Sequence, residues 1–94
     1  MGPAYDEFYL TDSACRHGYD EEDVAELLRG RHLIFRSRRG RQFGYEFLGQ
    51  NQAGEYLLVV GRVVQSHGTK ILRIFHIDRM LESDRKRFQR QTGL

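Results

Sequence analysis

After Gly30 the chain changes period, and that switch constrains its fold more than any other feature. Four extended runs follow, at residues 32–36, 42–48, 55–64 and 70–77, in which apolar residues alternate or crowd both sides in the manner of strands. Their connections, 37–41 with Gly40, 49–54 with Asn51 and 65–69 with Gly68, are far shorter than the dozen or more residues of a parallel crossover. The runs are therefore expected to form an antiparallel meander. Residues 55–64 carry Leu57, Val59 and Val63 on one side and Tyr56, Leu58, Val60 and Val64 on the other, which predicts a central strand, interrupted at Gly61 and Arg62.

Ahead of Gly30 the signals are helical. Thr11 or Asp12 can cap a short helix ending at His17, where Gly18 supplies a left-handed stop. Asp20 opens a second helix: Asp20 and Asp23 approximate a capping box, acids crowd the first turn, and Val24, Leu27 and Leu28 make its apolar stripe. Near the other end, Asp78 can cap a final helix from 79 towards 91, anchored by Leu81 and Phe88. Residues 1–10 read as an arm or an edge strand, because the alternation over 5–10 is weak. The fold expected is one α+β domain over 1–94 with two N-terminal helices, a four-stranded antiparallel sheet and a C-terminal helix.

At 94 residues the chain has room for one core. Its longest apolar run, 56–60, is far short of the ~20 residues of a membrane span, and the N-terminus has no signal-like apolar segment. A cytoplasmic protein without membrane attachment is expected. Cys15 is the single cysteine, so neither an internal disulfide nor a zinc finger can form. No two histidines have a ligand spacing such as i, i+4, so neither a metal nor another cofactor is expected.

Charge is distributed unevenly although the net is only +2. Residues 1–28 hold eight acids against Arg16, and the remainder holds 14 basic residues against five acids. Arginine supplies nearly all of the basic charge, and its planar fork suits bidentate contact with phosphate. Arg29, Arg31, Arg36, Arg38, Arg39 and Arg41 cluster without an intervening acid, and Arg85, Lys86, Arg87 and Arg90 crowd the C-terminus.

Two stretches resemble a known family. Arg16-His17-Gly18-Tyr19-Asp20-Glu21-Glu22-Asp23-Val24 resembles the entry into the acidic helix of BrnT-type toxins. Arg73-Ile74-Phe75-His76-Ile77-Asp78-Arg79, followed by Asp84-Arg85-Lys86-Arg87-Phe88, is similar to the strand and Arg-rich helix that end BrnT-like chains. The resemblance implies a bacterial RelE-like ribonuclease toxin that inhibits translation by cutting RNA, with or without the ribosome, and is neutralised by a cognate antitoxin. The sequence departs from the family at Phe88, where tyrosine is common, at Asp84, where glutamate is common, and at His76, where a small polar residue is common.

Metal-independent cleavage of RNA by its own 2′-hydroxyl needs a base, an acid and cations around the phosphorane. Arg62, Arg73 and Arg79 are the candidate cations, expected to converge if the last two strands pair, and His76 is the candidate proton carrier. Arg36, Arg38, Arg39, Arg41, Lys70 and Arg85 are the candidate RNA-binding residues. Each has a plainer structural reading. The arginines can line a solvated sheet face paired with Glu46 or Glu55, His76 can be a hydrogen-bonded strand residue, His17 a helix-end residue, and Phe43, Tyr45 and Phe47 core beneath the N-terminal helices. The alternative function is a noncatalytic module that binds RNA or an acidic protein through the same basic surface; a homo-oligomer is compatible with either.

Overall fold

The computed structural model describes residues 2–37 and 44–93. Along the chain run β1 (Glu7–Leu10), a 3₁₀ helix (Asp12–His17), α1 (Glu21–Arg29), β2 (Leu33–Ser37), β3 (Gly44–Gln50), β4 (Tyr56–Ser66), β5 (Thr69–Arg79) and α2 (Glu82–Thr92).

Local chemistry explains most of these boundaries. Asp20 and Asp23 form a reciprocal capping box, each side chain accepting from the other's backbone N–H at 3.0 and 3.1 Å, while Glu21 and Glu22 meet the positive end of the helix dipole. Gly18, at φ +86°, ends the 3₁₀ helix with its N–H on the Cys15 carbonyl. The six-residue 3₁₀ helix stands where the sequence suggests an ordinary short helix.

The strands form one five-stranded sheet in the order β1-β5-β4-β3-β2. β2, β3, β4 and β5 make the antiparallel meander, with β4 internal and Val59 and Val60 fully buried. The expected four-stranded antiparallel sheet is corrected by β1, which pairs parallel with β5 from Glu7↔Ile71 to Leu10↔Ile74 and makes the sheet mixed. A chain entering the sheet from the N-terminus needs no local crossover to reach β5, so short turns elsewhere do not reveal this pairing. The final helix also begins later than expected. Asp78 and Arg79 remain in β5 opposite Leu58 and Leu57, Met80 N–H donates to the Tyr56 carbonyl, and α2 starts after Leu81.

Both sheet faces are packed, but unequally. One face, called here the α1 face, buries Leu10, Val24, Leu27, Phe47, Leu57, Val59, Leu72, Ile74 and Ile77 beneath the 3₁₀ helix and α1. Gly49 makes this possible, because a Cβ there would stand 2.7 Å from Leu27 Cγ. The N-terminal arm covers the rest of that face. Gly2 lies against Ile34, Pro3 and Ala4 stand beside Tyr45 and Val63, and Asp6 is tied to Lys70 by two 2.8 Å bonds. On the opposite, α2 face, Phe88 seals Leu48, Leu58 and Val60, flanked by Leu33, Phe35, Tyr56 and Phe75. Among the described residues, α2 is the only helix on that face, and it leaves the half nearest the β4–β5 turn without a helix above it.

Candidate nucleic-acid interface

Strand parity places the functional candidates. Leu72 and Ile74 point into the α1-face core, so Arg73 between them points to the α2 face. Gly61 and Val63 are on the α1 side of β4, which puts Arg62 on the same face as Arg73, and the register sets the two arginines directly opposite each other. Across the next strand pair, Tyr9 is in register with Arg73. Its neighbours Phe8 and Leu10 point into the α1-face core, so the Tyr9 ring stands on the α2 face, 57% exposed. Tyr9, Arg73 and Arg62 thus form one row across three strands, spanning about 10 Å at the ordinary interstrand spacing. A second row, Glu7, Ile71 and Val64, runs beside it.

Neither Arg62 nor Arg73 makes an ion pair or hydrogen bond with another described side chain. Glu55, a suggested partner, is committed elsewhere: it accepts from Tyr19 Oη at 3.2 Å and from Asn51 Nδ2 at 3.1 Å. Like charges directly opposite in a sheet are destabilising. Beside Arg62 lies a hollow of about 480 Å³ that Arg36, Ser37 and Gly44 also line.

A bulge shapes the neighbourhood. Val60 pairs with His76 but Gly61 pairs with Ile74, so Phe75 is an extra residue in β5. Close backbone approach there requires glycine at 61, since a Cβ would meet the Arg73 carbonyl oxygen at 2.8 Å. The extra residue reverses the strand's faces. Arg73 and Arg79, an even number of residues apart, would share a face in a regular strand; instead Arg79 lies opposite Leu57 on the α1 side, about 20 Å along the strand from Arg73. The expected convergence of three arginines is therefore corrected to a pair. Arg79 instead donates from Nε to Tyr19 Oη at 3.5 Å, and that contact, with the nearby Glu55, raises its pKa above the ordinary arginine value.

His76 stays on the α2 face beside the bulge, half-buried, its ring edge-on to His17 at 5.9 Å, and His17 Nε2 is 3.8 Å from Asp78 Oδ2. The remaining candidates are dispersed. Lys70 stands by the N-terminal arm, Arg36 lies opposite Tyr45 at the far side of the sheet, and Arg85 stacks 6.0 Å from the Tyr56 ring at the start of α2. Arg38, Arg39 and Arg41 lie outside the described residues, as does Phe43. Phe47 is buried and Tyr45 packs against the same core. Tyr9 and Glu7 were legible only as alternate positions of a weak N-terminal strand; the signal is that Phe8 and Leu10 share one phase and Glu7 and Tyr9 the other.

No protein-family model matches this chain, and no curated protein matches it significantly. The likeness to BrnT-type toxins therefore rests on the short motifs alone. Among the described residues, no helix is long and apolar enough to cross a membrane.

Proposed function

We propose that the chain binds single-stranded RNA across the open half of its α2 face. The observation that carries this reading is the row of an exposed Tyr9 beside the cross-strand pair Arg73 and Arg62. A tyrosine ring standing off a sheet offers a stacking platform for an unpaired base, and stacking is open to single strands because their bases can be splayed out. Two guanidinium forks next to it supply donors for the adjoining phosphate. A phosphate bound between them also relieves their mutual repulsion, which gives the pair a purpose that its effect on stability does not.

The test is fluorescence anisotropy of a labelled ten-nucleotide RNA with the wild type and with Arg62→Gln/Arg73→Gln. The wild type should bind, with affinity falling as salt rises, and the double variant should lose most of that binding while remaining folded. Equal affinity for the two proteins would overturn the reading.

One observation favours the ribonuclease toxin as a second reading. The phenol of Tyr9 and the imidazole of His76 both stand on the α2 face near Arg73, so groups able to move protons accompany the cations. That reading requires RNA to be cut and expression to arrest growth until a cognate antitoxin is supplied. Binding that leaves RNA intact under all conditions would remove it. An acidic antitoxin covering the same arginines would compete with RNA for the protein.

A further inference from the structure

Beside the Tyr9 platform stands a carboxylate that phosphate binding alone does not explain. Glu7 is two residues from Tyr9 on β1, on the same face, at a separation of about 7 Å along the strand, and it lies opposite Ile71 rather than opposite a cation. Its side chain is exposed, and no described group forms a hydrogen bond or ion pair with it. A negative charge at the edge of an anion-binding row weakens the attraction for phosphate, so its contribution must come from another part of the ligand.

Ionised glutamate only accepts hydrogen bonds. A base stacked on Tyr9 and turned towards Glu7 must therefore present donors. Guanine presents two neighbouring donors, N1–H and the N2 amino group, whose spacing matches the two oxygens of one carboxylate. Uracil offers the single N3–H between two carbonyl oxygens that a carboxylate repels, and adenine and cytosine offer one amino group beside a ring acceptor. The acceptors O6 and N7 of guanine then turn towards the cationic side of the row, where Arg73 stands, and arginine to O6 and N7 is a favourable pairing. We infer that Glu7 and Tyr9 form a guanine-selective subsite, with the guanine ring on Tyr9, its Watson–Crick edge on Glu7 and its phosphate on the arginine pair. The inference rests on the proposed RNA-binding face.

Four labelled decanucleotides test it: ten uridines, and the same strand with one central guanosine, inosine or adenosine. Bidentate contacts discriminate between bases by roughly five- to hundredfold, and for an exposed carboxylate about tenfold is expected in favour of guanosine over the uridine strand. Inosine, which lacks the N2 amino group, should recover only part of that preference. Glu7→Ala and Glu7→Gln should abolish the preference, and Glu7→Ala should bind the uridine strand as well as the wild type or better, since a repelling charge has gone. Thermal unfolding confirms that both variants are folded. Equal affinity for all four strands, inosine equal to guanosine, a preference for adenosine, or a guanosine preference that survives Glu7→Ala would each overturn the inference while leaving the RNA-binding face intact. Failure of every strand to bind the wild type would overturn both.

Discussion

Replacing Arg73 by glutamine removes one of two like charges that face each other across β4 and β5 while keeping most of the side-chain stem over the sheet. Opposed like charges cost about 0.2–1 kcal/mol in a sheet. For a domain of this size, 1 kcal/mol corresponds to roughly 4–8 °C in Tm, so Arg73→Gln should raise Tm by about 1–8 °C in low-salt buffer. In about 1 M salt, where the screening length falls to about 3 Å, the gain should largely disappear. The same substitution should weaken RNA binding. With two phosphate contacts to a single strand, log K should fall with log salt at a slope of about −1.4, and with one contact at about −0.7. Raising salt fourfold should thus cost the wild type about sevenfold in affinity and the variant about two- to threefold. Calorimetry or thermal circular dichroism reads the first effect and anisotropy at several salt concentrations the second. A Tm several degrees below wild type, or an unchanged salt slope, would refute the reasoning that the pair is held against stability for an anionic ligand.

Other substitutions separate surface from scaffold. Tyr9→Ala should lower RNA affinity by about 1–3 kcal/mol with little change in Tm, whereas Tyr9→Phe should retain binding because stacking needs the ring; anisotropy and thermal unfolding check both. Under the ribonuclease reading, Tyr9→Phe would also reduce cleavage. Phe88→Ala should cost about 3–5 kcal/mol in denaturant unfolding, since Phe88 is fully buried and seals α2 to the sheet. Asn51→Ala should cost about 2 kcal/mol: its buried amide donates to Asp23 and Glu55 and accepts from the Glu55 N–H, joining α1 to the β3–β4 turn.

Much of the scaffold was legible because its causes are local. The capping box of α1 depends on Asp20 and Asp23, three residues apart, and the meander depends on turns short enough to force antiparallel pairing. The partner of β1 was not legible, because Glu7 and Ile71 are distant in the chain and a four-residue strand carries little pattern. Nor was the fate of Arg79. Period-two reasoning puts it with Arg73, and only the extra residue Phe75, which no local turn signal marks, transfers it to the Tyr19 side. The late start of α2 has a similar origin. Asp78 has a capping side chain, but pairing with β4 as far as Leu57 holds it in the strand, where its carboxylate accepts the Arg79 N–H at 2.7 Å. For the interface, the sequence singled out Arg62 and Arg73, and Tyr9 emerged only when the parallel pairing placed β1 alongside them.

Backbone amide shifts in an isotope-labelled sample titrated with single-stranded RNA report directly where the ligand sits. If the open half of the α2 face is the contact surface, the largest changes should fall on Glu7, Tyr9, Arg62, Val64, Ile71 and Arg73, with α1 and the Tyr19–Glu55–Arg79 chain little affected. Changes concentrated on α1 or around Tyr19 and Arg79, with Tyr9, Arg62 and Arg73 unmoved, would contradict the assignment of this face.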